Sequence, residues 1–480
     1  MRRILLLLAS FALLASATAA EKQEAPEKKK KAKTEEKNAD GQTIKKGWNV
    51  APFPSVGFNS DTGFQIGALV ELFDYGDGKE FPSYRHKLHI EGFYTTGGQA
   101  TAHFFYDSKY LIPNVRLTAA ATYSLNTMYP FLGFNGAASP YNPAYASGKK
   151  QEHRVSMYNM RRHMMRVLLD FQGNIATSKF RWAAGVSYWW YELGDITLRK
   201  YDVACDENGE TTNHYLKEND IHSSTLWQLY RRAGLIKAEE ATGGHHIELK
   251  AGLVYDSREH EADPSRGIWA ELYAFGSPDI VQGRNHYLKL AAHFRHYVPV
   301  WRDRITFAYH LAYQGRVAGN APYYSLQNIN TLYLRQIVSD GLGSLNTVRG
   351  VRYNSVVGDG YAWANVEMRF KLVSFKFIKQ NWYLATNPFF DMGACVQPYR
   401  FAEMKQIRET GRSLDGTQQF TNSELDLIYQ GGKEKLHMSA GLGVKLAMNR
   451  NFILSAEFAF PLNRKQDGNF GTNIGLNYIF

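Results

Sequence analysis

Downstream of Gly47 the chain alternates apolar and polar residues with a period of two, the repeat of a β-strand and not of a helix. In the closing segment Phe470, Thr472, Ile474, Leu476, Tyr478 and Phe480 fall on one face, and Gly471, Asn473, Gly475 and Asn477 on the other. Phe452, Leu454, Ala456, Phe458, Phe460 and Leu462 repeat the pattern against Ser455 and Glu457. Leu436, Met438, Ala440, Leu442, Val444 and Leu446 repeat it again, with Lys435, His437, Ser439 and Lys445 opposite. Read this way, the sequence predicts sixteen strands. They cover residues 49–58, 63–73, 84–95, 98–107, 113–124, 160–173, 178–192, 244–257, 266–276, 284–298, 304–316, 360–373, 382–395, 434–447, 452–462 and 470–480.

Alternation also fits a soluble sandwich with its apolar face inward. Loop length separates the two architectures. The long gaps, near 125–159, 193–243, 317–359 and 396–433, follow the fifth, seventh, eleventh and thirteenth strands, all odd, while gaps after even strands, such as 175–177, 299–303 and 448–451, are short. An even strand count, with long loops on one rim and tight turns on the other, marks an outer-membrane barrel with both chain ends in the periplasm. The expected fold is all-β: a 16-stranded antiparallel transmembrane β-barrel with long extracellular loops. Trp182 and Trp190, at opposite ends of the seventh strand, stand where two interfacial aromatic girdles would lie.

Composition sets the domain limits. Of the 480 residues, 44% are hydrophobic and 14% aromatic, which excludes disorder for most of the chain. Residues 1–20 read as a signal peptide: Arg2 and Arg3, an apolar stretch from Ile4 to Ala15 too short to span a bilayer, and small residues at Ala17-Thr18-Ala19 and Ala20. Residues 21–46 turn Lys/Glu-rich, with Lys28 to Lys31 unbroken, and read as a charged, disordered periplasmic segment. Residues 47–480 form the barrel domain. The formal charge is +11, but its basic residues are scattered among strands without a nucleic-acid-binding motif, so nucleic acid is not an expected partner. Cys205 and Cys395 lack the spaced partners of a metal site or redox motif; a disulfide between them stays open.

Several short motifs then carry a family resemblance. Val348-Arg349-Gly350 lies in the long loop after the eleventh strand. Asn365-Val366-Glu367-Met368-Arg369 and Phe389-Phe390-Asp391-Met392-Gly393 sit on the next two strands. Tyr255-Asp256-Ser257-Arg258 precedes Asp263-Pro264-Ser265-Arg266-Gly267 at the turn between the eighth and ninth strands, and Tyr478 and Phe480 close the last strand. From about Gly47 to its end the chain resembles the BamA/TamA superfamily of outer-membrane barrels, the bacterial surface antigen family. The resemblance implies that the Val348-Arg349-Gly350 tip folds back into the lumen, and that Tyr478 and Phe480 form a C-terminal barrel signal. It departs in two places. Val351 stands where an aromatic residue is usual, and only 26 residues separate Ala20 from Gly47, too few for a POTRA domain, so the chain reads as a member without those domains.

Strand parity adds a check of its own. With Ala362, Ala364, Val366, Met368, Phe370 and Leu372 facing lipid, Asn365, Glu367 and Arg369 face inward, and the same rule puts Asp391 inward on the thirteenth strand. Two inward acids on adjacent strands need a cation, which the planar guanidinium of Arg349 can supply in bidentate form. On the residues alone, a solvated Arg349 and a wet Glu367 are the favoured reading over a lock. The resemblance implies a lumen loop lock of Arg349, Gly350, Glu367 and Asp391, supported by Val348, Asn365, Arg369, Phe389 and Gly393.

Family insertases close their barrel weakly between the first and last strands, and the first strand offers client strands a free edge. Here Pro52 and Pro54 withhold two donors on one edge. Either they loosen the seam against the last strand, or they precede a first strand that starts near Ser55. Pro388 predicts a bulge in the thirteenth strand. No hydrolase elbow, zinc-protease helix or phosphate loop occurs, and Glu424 and Asp426 are the only weak metal candidates. No enzyme activity, cofactor or metal is expected. The expected function is outer-membrane protein assembly, insertion or transport, as an accessory subunit of a larger complex. The competing reading is a passive pore or surface-anchored binding barrel. The expected partners are outer-membrane lipid and the barrel assembly machinery, which would handle the chain as a client and work with it as a partner.

Overall fold

A computed structural model describes residues 36–37, 43–59, 62–139, 141–142, 157–196, 203–205, 211–215, 225–278, 280, 286–302, 304–332, 339–343, 347–377, 380–432, 434–468, 470–476, 478 and 480. The expected signal peptide and most of the charged segment lie outside the described residues. The chain divides into two units, Met1–Ile44 and Lys45–Phe480. The first is described only at Glu36, Lys37, Thr43 and Ile44, where Lys37 and Thr43 form a β-bridge.

The second unit is a closed antiparallel barrel of sixteen strands. Its first half comprises β1 (Trp48–Asn59), β2 (Gly63–Asp74), β3 (His86–Thr95), β4 (Gln99–Ile112), β5 (Val115–Pro130), β6 (Asn159–Asn174), β7 (Phe180–Gly194) and β8 (Gly243–Asp256). The second half comprises β9 (Gly267–Ser277), β10 (Tyr287–Trp301), β11 (Ile305–Gly319), β12 (Gly360–Phe377), β13 (Gln380–Gln397), β14 (His437–Met448), β15 (Phe452–Pro461) and β16 (Gly471–Leu476). Every strand pairs with its sequence neighbours, so each expected strand has one counterpart in the barrel.

Alternation sorts the side chains as a membrane barrel requires and as a soluble sandwich would not. On β6 the buried positions are Met160, Arg162, Met164, Arg166, Leu168 and Asp170, while Val167 and Leu169 are exposed on the outside. Arg162 stacks over the Tyr129 ring and Arg166 over Trp189, so inward cations are shielded by aromatic faces as well as acids. No described helix is long and apolar enough to cross a membrane; the strands do the crossing.

Two expectations about strands need correction. The last strand does not run to residue 480. Among the described residues its ladder with β15 ends at Leu454↔Leu476, and Tyr478 and Phe480 are buried rather than turned to lipid. The reason lies in the neighbours: β1 pairs with β16 only at Asn59↔Asn473 among the described residues, so little backbone pairing holds the end flat. Inside the lumen, Arg369 donates Nη2–H to the main-chain oxygen of Phe480 at 2.7 Å, and its guanidinium lies 4.1 Å from the centre of the Tyr478 ring.

Pro388 makes no bulge. It sits opposite Leu442 in an unbroken β13–β14 register, while the β12–β13 ladder skips from Glu367↔Phe389 to Phe370↔Thr386 without changing register. The missing donor thus interrupts one ladder in place. The bulge in β12 lies lower, between Lys371 and Val373.

The described parts of the four long loops do not stay solvated. They pack on one another in a cap over one mouth, around Phe131, Phe134, Trp227, Tyr230, Tyr323, Tyr399, Met404 and Ile428. Among the described residues three α-helices stiffen it: α1 (Leu226–Arg232), α2 (Phe401–Thr410) and α3 (Asn422–Ile428). Thr225 with Gln228, and Thr421 with Glu424, make reciprocal capping boxes at the starts of α1 and α3, satisfying N–H groups that a short helix leaves unpaired. Polar links cross between loops: Trp227 Nε1–H donates to Tyr323 Oη at 3.0 Å, and Asn135 Nδ2–H to the Tyr399 carbonyl at 2.7 Å. Glu424 accepts from Arg232 at 2.6 Å, and Asp426 pairs with Arg408 at 2.7 Å, so both acids are engaged by arginines.

Trp227 is the largest fully buried side chain of the cap. Trp227→Ala is expected to cost about 3–5 kcal/mol locally. It should make the loops protease-sensitive while the barrel keeps its folded migration on unheated gels; equal resistance of loops in variant and parent would refute a cooperative cap.

Candidate functional site

β12 and β13 build the floor of the site. Their register sets Asn365 opposite Asp391 and Glu367 opposite Phe389, with Trp363 opposite Gly393. Inward parity buries Asn365, Glu367, Arg369, Phe389 and Asp391 together. The loop from β11 comes back down against this floor at Thr347–Gly350. Val348 is fully buried among Leu342, Val351, Tyr361, Trp363 and Cys395. Gly393 makes room for it, since a β-carbon there would lie 2.9 Å from Val348 Cγ2.

Arg349 then meets acids from three strands. Its Nε–H and Nη2–H donate to the two oxygens of Asp391 at 2.7 and 2.8 Å, a bidentate fork, and its backbone N–H donates to Oδ2 at 3.1 Å. Nη1–H donates to Glu367 Oε1 at 2.7 Å and to Glu457 Oε1 on β15 at 3.1 Å. The guanidinium lies flat on Phe389, 3.4 Å from the ring centre. Lys445 on β14 donates to Glu457, and Arg369 donates Nε–H to Glu367 Oε2 at 2.9 Å. Three buried carboxylates are thus matched by three cations, which is what keeps a desolvated cluster from repelling itself.

The supporting residues have defined jobs. Asn365 Nδ2–H holds the Thr347 carbonyl at 2.6 Å, fixing the loop one step before Val348, while its Oδ1 contacts His310 Nδ1 at 3.1 Å. Gly350 takes a positive φ of 80°, and a β-carbon there would lie 2.7 Å from Ala459 Cβ. On β16, a β-carbon at Gly471 would lie 2.6 Å from Gly350 Cα. The loop tip is therefore in van der Waals contact with both β15 and β16, next to the barrel seam.

Sequence reasoning did not single out Glu457 and Lys445 as site residues, although the same parity rule placed both inward. The bond from Arg369 to Phe480 had no signal, because it depends on the strand stopping early. Pro52 and Pro54 lie inside β1, which keeps register with β2 from Trp48↔Asp74 to Asn59↔Gly63. Of the two placements left open for the prolines, the one that starts the strand after them does not occur.

The other mouth is closed by the turn between β8 and β9. Glu261 accepts from Lys109 Nζ at 2.6 Å and from Arg116 at 3.1 and 3.0 Å, on β4 and β5. Asp263 accepts from Lys371 Nζ at 2.8 Å and Arg450 Nε at 3.1 Å, on β12 and the β14–β15 turn. Those anchors stand about half a barrel apart, so the turn spans the opening. Burial alone would raise both acids, but Arg116 and Lys109 hold Glu261 well below the ordinary carboxylate value, and Lys371 and Arg450 hold Asp263 below it. Among the described residues no group of three His, Cys, Asp or Glu side chains is placed to hold a metal ion.

Residues 87–478 match the Omp85 superfamily domain. Similar solved structures include BamA from Haemophilus ducreyi lacking POTRA domains 1–3, at 14% identity and a TM-score of 0.48, over 90% of this chain and 71% of that one. They also include CdiB from Acinetobacter baumannii, at 13% identity and 0.40, over 91% of this chain and 60% of that one. No curated protein matches the chain.

Removing Arg349 leaves three buried acids facing two cations. Arg349→Ala should destabilise the barrel by about 3–5 kcal/mol, and Arg349→Lys, which keeps the charge but not the fork, should recover only part of that. Urea unfolding read by gel migration checks both; an unchanged midpoint for Arg349→Ala would mean the contacts carry no stability. Acid should open the opposite mouth. Depressed acids stabilise fully above their ordinary values, about pH 4, and that contribution is lost as pH falls through the lower folded values. Pepsin cleavage within 257–266 should therefore rise steeply between about pH 4 and pH 2, and a flat profile would contradict the ion-pair account.

Proposed function

Because the chain belongs to the Omp85 superfamily, we propose that it is an outer-membrane barrel that assists protein assembly or insertion through its seam, as an accessory subunit and not as a conduit. Superfamily and fold together imply the bacterial outer membrane, with the capped mouth toward the outside and the β8–β9 turn toward the periplasm. The chain reaches that membrane as a client of the barrel assembly machinery, and its outward apolar strand faces are in contact with lipid.

The observation that carries this reading is the contrast at β1. That strand pairs with β2 along its whole length and with β16 at Asn59↔Asn473 only, among the described residues. An edge left with free backbone groups beside lipid is costly, so such a seam perturbs the adjoining bilayer and can part without breaking a full ladder. Pro52 and Pro54 limit what that edge can template, which favours loosening the membrane over threading a client strand along the whole of β1.

Arg349 serves as the internal brace. By holding the loop tip against β15 and β16 it supports the weakly paired wall from inside while the seam moves. A passive pore is disfavoured by the same geometry, since the cap, the Arg349 loop and the β8–β9 turn stand in series along the lumen. Catalysis plays no part in this mechanism.

A cleavable cross-link between Asn59→Cys and Asn473→Cys, in a Cys205→Ser, Cys395→Ser background, tests it. The closed seam should lower the levels of other outer-membrane proteins as far as depletion of the protein does, and cleavage should restore them. Normal levels with the seam closed, or after depletion, would end the assembly reading.

A further inference from the structure

Near the turn rim a cavity of about 20 Å³ lies between the lumen wall and the β8–β9 turn. Its charged lining comes from Asp107 on β4, Arg116 on β5, Arg181 on β7, and Asp256 and Arg258 where β8 runs into the turn. Gln172 on β6 and Trp269 on β9 also line it.

The two carboxylates are fully used. Asp107 accepts Nε–H and Nη2–H of Arg116 at 2.8 and 2.7 Å, Tyr84 Oη–H at 2.8 Å and Thr118 Oγ1–H at 2.9 Å. Asp256 accepts Nε–H and Nη2–H of Arg258 at 2.9 and 2.8 Å, the Arg258 backbone N–H at 3.2 Å and Arg181 Nη2–H at 2.9 Å. A carboxylate has about four lone-pair sites, so both acids are saturated.

Donors, by contrast, are in surplus. A guanidinium carries about five N–H groups, and Arg181 places one of them, on Asp256; the others find no acceptor among the described residues. The Gln172 amide and the Trp269 indole N–H likewise have no partner there. Arg181, Gln172 and Trp269 are only 9%, 8% and 5% exposed, so bulk water does not satisfy them. Charge points the same way: Arg116, Arg181, Arg258 and Lys109 meet Asp107, Asp256 and Glu261, four cations against three acids.

We propose that this cavity binds one chloride ion, held by Arg181 from β7 and Gln172 from β6. A metal cation would meet three guanidinium groups and no free carboxylate lone pair. A water molecule would accept from two of the spare donors but bring two O–H groups that the saturated acids cannot take. Phosphate or sulfate exceeds a volume that admits about one water-sized guest. A halide accepts from several donors at once, and its charge cancels the surplus. When bound, it ties β6 and β7 to the turn that closes this mouth, through Arg181, Asp256 and Arg258. The site is independent of seam activity.

Full-length protein in detergent gives two readouts, with bromide as the probe. In crystals grown in sodium gluconate and soaked in sodium bromide, anomalous scattering should place one bromide in contact with the Arg181 guanidinium and the Gln172 amide. In dilute sodium chloride, the protein should broaden the chloride NMR line and bromide should reverse the broadening. Gln172→Glu sets a carboxylate of the chain's own among the spare donors and should weaken chloride binding at least about tenfold. Arg181→Met should abolish it, both variants keeping folded migration on unheated gels. If either variant fails to fold, the bromide position in the parent decides alone. The proposal is overturned if the cavity shows no bromide, if a bromide peak appears without broadening in dilute chloride, which marks an adventitious ion only, or if folded Gln172→Glu binds chloride as the parent does.

Discussion

A guanidinium removed from water needs a full set of acceptors, and Arg349 finds them on three different strands. Asp391 takes two of its N–H groups, Glu367 and Glu457 share a third, and Phe389 covers one face. No single strand could supply this set. The cluster exists only when β12, β13 and β15 are in register and the loop has returned from β11, so it couples local conformation to closure of the barrel. Buried ion clusters add little net stability over apolar packing, because desolvation offsets most of the attraction. What they do well is specify position, since any other placement of Arg349 takes the cation from Asp391 and leaves three buried acids facing two cations.

That specification reaches the seam through contacts rather than charge. Gly350 lies against Ala459 and Gly471, so the loop tip and the first residue of β16 occupy adjoining space that no β-carbon can enter from either side. Arg369 extends the network to the end of the chain by holding the Phe480 carbonyl. Among the described residues, the wall with the least backbone pairing is thus also supported by side chains from within. Hydrogen-bond ladders hold the rest of the barrel; around β16 an ionic and steric brace takes over.

The barrel was readable because a membrane enforces period-two alternation on every strand, and because loop lengths alternate with strand number. Parity was enough to put Glu367, Asp391, Glu457 and Lys445 inside. It could not say which inward residues meet across the lumen, and so Glu457 passed as one polar position among several. The cap was missed for a different reason. Its Thr225-to-Gln228 and Thr421-to-Glu424 capping boxes are visible as short motifs, but its core joins residues as distant as Asn135 and Tyr399, and no local period reports such a pairing. The end of β16 was misjudged because alternation continues through Tyr478 and Phe480 whether or not a neighbouring strand is there to pair with them. Side-chain pattern records which face a residue would take; backbone pairing decides whether it takes that face at all.

The same distinction applies at the seam. At β1 the alternation is sound, and among the described residues the ladder to β16 is a single pair. Backbone N–H and C=O groups left without a ladder must be satisfied by water, by lipid headgroups or by another chain. In a wall that borders hydrocarbon water is excluded, and the cost of exposing such groups favours movement of the wall or thinning of the bilayer. The contacts of Arg349 and Gly350 with β15 and β16 therefore act beside that single pair, holding from inside a wall that its own described ladder does not fix.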